Sequence, residues 1–492
     1  MTKIIALDQS TSATKALLFE HDGQLLDSVS LPHQQYYPQV GWVEHDAEEI
    51  YTNTRQVLGQ LIQKHGLSAS ELLCLSITNQ RETIVVFERE SGKPLYHAIV
   101  WQCRRGDPLC QQFIKDGHES LVHQKTGLKI DTYFPASKLT WLLTEEPEIK
   151  QKLENGAALI GTIDAYLIYR LTNGQVFATD HSNASRTLLF NITSLQWDPD
   201  LCALFRVPID ALPEIRESSA VFGETDLAGV LSKPIPICGV MGDSQAALFA
   251  QRCFTPGDAK VTLGTGSSIL LNIGDSLRYS QNGLLTAIGW VYGGKPTYAY
   301  EGIINYSAAT ITWLRDQLDL IESFEETEQL AHSVEDNGGV YLVPAFVGLN
   351  APYWRSDIKA AILGLSPSST KAHVVRAALE SIAYQIKDVL ELMSGDAGTA
   401  LTMIRADGGA VRNQFLVQFI ADLAGIVARA SDIAELSALG AVFAGTLGIG
   451  IYSNLDELAR IPATFVDYTP QMSEATADKL YAGWKSAVRQ IL

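Results

Sequence analysis

Hydrophobic and polar positions follow two different periods that alternate along the whole chain. Apolar runs of strand length, such as 72–80, 259–266 and 401–410, lie between amphipathic stretches of helical length, such as 45–64 and 373–394. In the last of these the apolar residues recur at helical spacing and predict one buried face, formed by Val374, Val375, Ala378, Ile382, Ile386 and Val389. Strands that alternate with helices in this way predict an α/β fold.

Two stretches share one pattern of an apolar strand, a turn of small and hydroxyl residues, and a second apolar strand. They are "IIALDQSTSATKALLFE" (4–20) and "AKVTLGTGSSILLNI" (259–273). A chain of 492 residues exceeds the roughly 250–300 residues at which single cores stop growing, so two large domains are expected. One hairpin in each half predicts two related domains, 1–247 and 248–492, that face each other across a cleft.

The turn of the first hairpin, "DQSTSATK" (8–15), carries a carboxylate, hydroxyls and a lysine. Successive N–H groups in a turn form a concave site for anionic oxygens, so Thr11 and Ser12 are candidate phosphate ligands and Lys15 a candidate counter-charge. A lone carboxylate that ends a buried strand is costly unless a cation binds it, and hydrated Mg²⁺ is the usual cation beside nucleotide phosphates. Asp8 is therefore a candidate metal ligand. An ordinary hairpin would show a similar composition.

Three further polar positions stand at the ends of apolar runs. Asp243 follows a strand and precedes a helix, where it reaches a ligand crevice or acts as an ordinary N-cap. "DGGAVRNQF" (407–415) leads through two glycines to Asn413 and suits the flat face of a nucleoside, or is a glycine-rich turn. Arg81 and Glu82 interrupt two apolar runs, which favours burial in a cleft over a solvated edge.

Two stretches resemble a phosphate-binding loop and a membrane span, and the sequence argues against both. "GWVYGGKP" (289–296) resembles a phosphate-binding P-loop, but Pro296 replaces the required hydroxyl and the flanks are strand-like, so a hairpin turn around Gly293 and Gly294 is predicted. The apolar stretch 438–452 is too short to span a membrane and is predicted to be a buried helix, closely packed through its glycines and alanines, with a turn after it.

The charge and the cysteine content of the chain limit the kinds of partner and compartment that suit it. The chain has 37 Lys and Arg against 55 Asp and Glu, and its net charge of −18 argues against binding to a nucleic-acid backbone. The six cysteines show neither zinc-ligand spacing nor a disulfide framework, and the N-terminus lacks the pattern of a signal peptide. A folded cytoplasmic protein without membrane insertion is expected.

Many segments, in order, resemble the FGGY carbohydrate kinases, and most closely the members that phosphorylate glycerol. The similar segments are "GWVEHDAEEIY", "ITNQRET", "AIVWQCRR", "NASRTLLFN", "QNGLL", "VPAFVGLNAPYW", "RAALESIAYQ" and "DGGAVRNQFL". Two more, "YFPASKLTWLLTE" (133–145) and "GLSPSSTKAHVVRAALESIAYQ" (364–385), resemble the signatures of the family. The resemblance implies two actin-like (ribonuclease-H-like) domains facing across an ATP and substrate cleft.

The resemblance also implies the activity and its residues. The expected reaction is ATP-dependent phosphorylation of a terminal hydroxyl of a small polyol, with glycerol giving sn-glycerol 3-phosphate as the first expectation. The implied ATP-binding residues are Thr11, Ser12, Lys15, Thr265, Ala308, Gly409 and Asn413. The implied polyol pocket consists of Arg81, Glu82, Trp101, Tyr133, Asp243, Ser244 and Ser268. Asp243 is the expected base, Asp8 and Asp243 are the expected Mg²⁺ ligands, and both homodimer and homotetramer remain open.

The chain departs from the pattern of the glycerol-specific members near the reaction centre. Ser244 stands where they have glutamine, and Ser268 where they have phenylalanine. Both changes remove bulk, so a four- or five-carbon polyol or sugar is the alternative substrate. Lys15 replaces an arginine and keeps its charge without its bidentate fork.

An assembling or non-catalytic actin-like ATPase is the alternative of a different class, although such a protein has no need of the polyol pocket.

Overall fold

The computed structural model describes residues 3–355, 357–398, 401, 403–431, 433 and 435–492. The helices formed by these residues are α1 (Ala47–His65), α2 (Asp107–Lys115), α3 (Glu119–Thr126), α4 (Pro135–Glu145), α5 (Pro147–Glu154), α6 (Ile163–Leu171), α7 (His181–Ala184), α8 (Pro199–Leu204), α9 (Asp243–Ala250), α10 (Ala308–Asp316), α11 (Glu326–His332), α12 (Lys371–Ala397), α13 (Gln414–Ala424), α14 (Leu436–Gly448), α15 (Leu455–Ala459) and α16 (Glu474–Arg489). Short 3₁₀ helices span Ala69–Glu71, Ile209–Ala211 and Gly409–Arg412.

The strands formed by the same residues are β1 (Lys3–Gln9), β2 (Ala13–Glu20), β3 (Leu25–Pro32), β4 (Gln35–Tyr36), β5 (Glu44–His45), β6 (Leu72–Asn79), β7 (Ile84–Glu88), β8 (Ala98–Ile99), β9 (Ala158–Thr162), β10 (Ala178–Asp180), β11 (Phe190–Asn191), β12 (Gln196–Trp197), β13 (Glu214–Arg216), β14 (Val221–Thr225), β15 (Ile235–Gly242), β16 (Ala259–Leu263), β17 (Ser267–Gly274), β18 (Leu285–Tyr292), β19 (Lys295–Ile304), β20 (Tyr341–Val343), β21 (Ala361–Leu363), β22 (Met403–Asp407), β23 (Val427–Ala430) and β24 (Val466–Tyr468).

Two large mixed sheets carry the same arrangement of strands around a hairpin. In the first sheet, ordered β14-β15-β6-β1-β2-β3, strand β1 pairs antiparallel with β2 and parallel with β6. In the second, ordered β18-β19-β17-β16-β22-β23-β24, strand β16 pairs antiparallel with β17 and parallel with β22. Both predicted hairpins are therefore confirmed, each in the interior of its sheet.

The central strands carry apolar side chains on both faces because both faces of each sheet are covered. In β1 the side chains of Ile4, Ile5 and Leu7 are all fully buried, although they alternate between the two faces. The long helix α12 buries the apolar face predicted for 373–394 against the second sheet. No helix among the described residues has both the length and the hydropathy needed to cross a bilayer.

Helix α14 comes late in the chain but packs against the first sheet and against α9. Its close approach depends on glycine: a Cβ at Gly440 would overlap the carbonyl oxygen of Ala246, and one at Gly445 would lie 2.5 Å from the Ser76 hydroxyl. The prediction of a buried, closely packed helix in 438–452 is confirmed. The predicted boundary between residues 247 and 248 falls within α9 and stays a prediction.

The hairpin predicted for 289–296 is also confirmed. Strands β18 and β19 are antiparallel neighbours, with Tyr292 paired opposite Lys295. Gly293 and Gly294 form the turn with φ of 59° and 75°, a left-handed conformation that favours glycine. This segment therefore has the geometry of a turn between strands.

Candidate active site

The turn of the first hairpin is closed by its own serine. The backbone N–H of Ser10 donates to the carbonyl of Ala13 over 2.9 Å, and the Ala13 N–H donates to Ser10 Oγ over 3.2 Å. Thr11 is half-buried and Ser12 is exposed at the tip. Ser10 thus stabilises a tight turn that carries Thr11 and Ser12 at its tip.

Asp8 lies at the base of this turn, near the end of β1. Burial raises its pKa to about 7 against the opposing charge of Lys15, and the nearby carboxylates of Glu435 and Asp243 raise it further. Lys15 itself forms a bidentate ion pair with Glu435, with Nζ–Oε distances of 2.9 and 3.0 Å. Asp8 is therefore a buried carboxylate in a locally acidic site, while the lysine beside it is held by another partner.

These carboxylates suit a magnesium ion that arrives with a nucleotide. Among the described residues, no three side chains of the His, Cys, Asp and Glu types are grouped to hold a metal ion by themselves. Mg²⁺ in kinase sites needs no such group, since one or two carboxylates together with phosphate oxygens and water complete its shell. The negative charges of Asp8 and Asp243 repel each other, and a divalent cation bound between them would cancel this repulsion.

The second hairpin turn is joined to the helix that follows it in space. The N–H groups of Ser307 and Ala309 both donate to the carbonyl of Thr265, over 2.9 and 3.1 Å. The N–H of Ala308 donates to the carbonyl of Gly264 over 3.1 Å. Thr265 is exposed at the tip of the turn, so its side chain is accessible while its backbone fixes the start of α10.

The predicted nucleoside-binding residues have different environments. Gly409 is exposed in the 3₁₀ turn after β22. Asn413 is buried and caps α13, with Oδ1 accepting from the Leu416 N–H over 2.9 Å and Nδ2 donating to Thr327 Oγ1 over 3.0 Å. Because both ends of the Asn413 side chain are occupied, the structure gives it a capping role, and its contact with ATP stays a prediction.

Arg81 and Glu82 are both buried, as the interruption of two apolar runs predicts. Only 5% of Arg81 and 2% of Glu82 are exposed. Glu82 has a φ of 62°, a left-handed conformation that costs energy in a non-glycine residue and aims its carboxylate beside Arg81. The solvated-edge alternative does not describe this pair.

Asp243 opens α9 at the end of β15. Gly242 is extended and occupies the N-cap position, so Asp243 is the first residue of the helix. The N-cap role that the sequence left open for the Asp243 side chain is therefore not observed. Its Oδ1 lies 3.1 Å from Arg81 Nε and accepts from the Ser244 N–H over 2.6 Å. The side chain of Asp243 remains 41% exposed, so it is held on one side and open to a ligand on the other.

Trp101 and Tyr133 form an aromatic wall with their rings 5.5 Å apart in an edge-to-face arrangement. Behind them Lys138 is fully buried, with Nζ 3.1 Å from the carbonyl oxygen of Val100 and 3.4 Å from those of Trp101 and Tyr133. Burial lowers the pKa of Lys138 to about 8. One buried lysine thus ties together the two backbone segments that carry the wall.

Two family models account for most of the chain. The model of the N-terminal domain of the FGGY family of carbohydrate kinases matches residues 3–250, and that of the C-terminal domain matches residues 259–449. The chain belongs to this family. The fold of two α/β domains that the resemblance implies is confirmed, and so is the class of the enzyme.

Relatives of this FGGY kinase match it over nearly their full length. It is 50% identical over 489 residues to glycerol kinase 1 of Thermotoga maritima, covering 99% of both chains. It is 46% identical to the glycerol kinase of Desulfitobacterium hafniense at the same coverage. The crystal structure of Plasmodium falciparum glycerol kinase with ADP superimposes with a TM-score of 0.94 at 36% identity, covering 100% of this chain and 98% of that one.

Sequence reasoning missed two charged residues of the FGGY kinase cleft, Arg186 and Glu301. Both are buried, Arg186 just after α7 and Glu301 within β19. Arg186 Nε lies 2.6 Å from Glu82 Oε1, and Glu301 Oε1 lies 2.9 Å from Arg81 Nη2. A lone carboxylate in the apolar run "TYAYEGII" was a signal of the same kind as Asp8 and could have identified Glu301.

Proposed function

We propose that this FGGY kinase transfers the γ-phosphoryl group of ATP to a terminal hydroxyl of glycerol and releases sn-glycerol 3-phosphate and ADP. One observation carries the proposal: the half-exposed carboxylate of Asp243 is held at 3.1 Å by Arg81, so a carboxylate and a donor converge on one place in the cleft. The extensive similarity to proteins named glycerol kinases supports glycerol as the acceptor.

The polyol side of the pocket supplies hydrogen bonds and an apolar wall. Arg81 offers N–H donors and Glu82 offers acceptors, which together match adjacent hydroxyl groups. Trp101 and Tyr133 would contact the carbon chain. Because a glycerol molecule has a hydroxyl on each carbon, this combination orients it with one terminal hydroxyl toward Asp243.

Asp243 would act on that hydroxyl mainly by orientation. A carboxylate is a weak base for an alcohol, so it accepts a hydrogen bond first and takes the proton late, as the bond to phosphorus forms. Its place at the start of α9 and its contact with Arg81 keep the acceptor oxygen fixed. The gain comes from positioning the hydroxyl in line with the γ-phosphorus.

The nucleotide side would use the two hairpin turns. The exposed tips at Ser12 and Thr265 offer backbone N–H groups and hydroxyls to phosphate oxygens. Asp8 and Asp243 would hold Mg²⁺, which neutralises charge on the phosphates when bound. Ala308 and Gly409 lie on the two segments that would flank the nucleoside, beside the second hairpin and after β22.

A longer polyol is the second candidate acceptor, and one observation favours it. Ser268 lies on β17 opposite Ile303, and its buried hydroxyl has no hydrogen-bond partner in the described part of the chain. A buried hydroxyl left without a partner is unfavourable, and an additional substrate hydroxyl would satisfy it. Ser244, half-buried at the start of α9, is likewise a small side chain.

We also propose a cytoplasmic location. The six cysteines are all free and buried, as expected where thiols are kept reduced.

The oligomeric state is open between a homodimer and a homotetramer. Light scattering of the purified protein would separate the two.

The test is ADP release by the purified protein with Mg·ATP across glycerol, dihydroxyacetone, erythritol, both threitols and the pentitols. Glycerol is expected to give the highest kcat/KM, and Asp243→Asn is expected to lower kcat by at least about a hundredfold. Asp210→Asn, an exposed position, is the matched control. A longer polyol in first place would replace glycerol as the acceptor, and ATP hydrolysis indifferent to every polyol would favour the actin-like ATPase.

A further inference from the structure

Four buried charged side chains form a closed ring at the floor of the cleft. Arg81 contacts Glu301 at 2.9 Å and Glu82 at 3.8 Å, and Arg186 contacts Glu82 at 2.6 Å and Glu301 at 2.5 Å. Each arginine thus lies between the two glutamates. No member of the ring is more than 5% exposed.

The ring is built from both large sheets. Arg81 and Glu82 follow β6 of the first sheet, whereas Glu301 lies in β19 of the second. Arg186 follows α7, and α7 packs against β18 of the second sheet as well as β15 of the first. The pair expected to bind the polyol is therefore held by a residue from the opposite side of the cleft.

We infer that Glu301 and Arg186 are positioning residues that orient Arg81 and Glu82 for the polyol and make polyol binding depend on contact between the two halves. The inference rests on the proposed polyol-kinase function and deepens it. Neither residue needs to touch the substrate, because each acts through the arginine or glutamate beside it.

The orientation of Arg81 shows how tightly the guanidinium is held. Its Nε lies 3.1 Å from Asp243, its Nη1 donates to Gln245 Oε1 over 3.1 Å, and its Nη2 lies 2.9 Å from Glu301. A guanidinium with partners on all three nitrogens has one orientation, and its remaining N–H groups point in fixed directions. Of these three partners, Glu301 is the one that comes from the second sheet.

Glu82 is held in a complementary way. Its Oε1 accepts from Arg186 Nε over 2.6 Å, while its Oε2 has no hydrogen-bond partner among the residues described. That second oxygen is left for a substrate hydroxyl. Arg186 therefore decides which oxygen of Glu82 is occupied and which one is offered.

The charge balance makes each member necessary to the others. The ring pairs two arginines with two glutamates, and removal of the Glu301 carboxylate would take one buried counter-charge from both Arg81 and Arg186. Burial alone would raise the pKa of Glu301, but Arg186 and Arg81 outweigh burial and keep it below the ordinary value. The two arginines thus favour the charged form of Glu301 by ion pairing, since its two oxygens make no aligned hydrogen bond with the described residues.

The experiment compares Glu301→Gln, which keeps the shape and removes the charge, with Glu380→Gln. Glu380 is also fully buried and paired with an arginine, Arg376, at 2.8 Å, but it lies in α12 away from the ring. In Glu301→Gln the KM for glycerol is expected to rise at least about tenfold while the KM for ATP changes by less than about twofold. Glu380→Gln is expected to lower the Tm and to leave both KM values in place.

A second variant covers a failure of Glu301→Gln to fold. Arg186→Lys keeps the charge and loses the planar fork, so it is expected to raise the KM for glycerol and to reduce the rise in Tm that saturating glycerol produces. Folded variants with an unchanged KM for glycerol would overturn the inference. If the wild-type protein prefers another polyol, only the proposal that glycerol is the acceptor is overturned. The same comparison of variants is then made with that polyol.

Discussion

The indole Nε1–H of Trp101 donates a hydrogen bond of 3.0 Å to the hydroxyl of Thr11. This contact joins the aromatic wall of the polyol pocket to the turn of the first hairpin. The Thr11 carbonyl is also fixed, since Gln35 Nε2 donates to it over 2.8 Å. A residue expected to contact phosphate is therefore held by a residue expected to contact the polyol.

Trp101→Phe should consequently affect both substrates. It keeps an aromatic wall and removes the donor to Thr11, so a loss of roughly three- to tenfold in kcat/KM is expected, with a higher KM for ATP as well as for glycerol. Trp197→Phe is the matched control, because Trp197 Nε1 donates to the Pro213 carbonyl over 2.7 Å outside the cleft. An unchanged KM for ATP in Trp101→Phe would show that the contact does not hold the hairpin.

Lys15→Met should weaken nucleotide binding selectively. The change removes a positive charge beside Asp8 and takes away the lysine that pairs with Glu435, so the cleft becomes more acidic where phosphates are expected. The KM for Mg·ATP is expected to rise by at least about fivefold, with the KM for glycerol within about twofold. Lys64→Met removes a surface partner of Asp27 at 2.6 Å and should change neither constant. Steady-state kinetics with both substrates varied would decide.

Ser268→Phe should narrow the acceptor range. A phenyl ring is much larger than the serine side chain and would leave less room for a longer acceptor, so kcat/KM for erythritol relative to glycerol is expected to fall by at least about tenfold. Ser268→Ala removes the hydroxyl without filling the space, so it separates the effect of volume from that of the hydrogen bond. If neither variant alters the ratio, Ser268 does not line the pocket for these substrates.

Asp164→Asn should change how stability depends on pH. Burial, reinforced by Asp180, raises the pKa of Asp164 to about 7 in the folded state. The stabilisation from the protonated form is complete below the unfolded pKa near 4 and is lost as the pH rises through 7. The free energy of unfolding of Asp164→Asn relative to wild type should therefore increase by about 3 kcal/mol from pH 5 to pH 8.

Urea unfolding at the two pH values measures this difference directly. Asp210→Asn, at an exposed position, is the control and should show no such trend. Equal pH dependence of Asp164→Asn and wild type would mean that Asp164 ionises in the folded protein with little cost.

Much of the fold could be predicted because its strands and helices carry local signals. Strand β1 is apolar on both faces, α12 repeats its apolar residues at helical spacing, and Gly293 and Gly294 mark a turn. The burial of Arg81 and Glu82 could also be predicted, since a polar pair between two apolar runs has no exposed surface to occupy.

The partners within the site could not be predicted in the same way. Lys15 pairs with Glu435, which is 420 residues away in sequence, and Glu82 pairs with Arg186 across 104 residues. Such pairs follow from how the sheets and helices pack, which no local pattern encodes. Asn413 shows that a local signal can carry a second role: the sequence pattern predicts a nucleoside contact, and the structure also gives its side chain a capping bond to the Leu416 N–H. The ligand contacts of the site residues stay predictions.

The late position of α14 has a consequence for synthesis of the chain. The strands it covers, β1, β6 and β15, are complete once residue 242 has left the ribosome, whereas α14 ends at Gly448. At a synthesis rate of about 5–20 residues per second, α14 is completed on the order of 10–40 seconds after the strands that it covers. A nascent chain interrupted before residue 436 would present an uncovered apolar sheet, so quality control by chaperones and proteases would act on it rather than on a finished first domain.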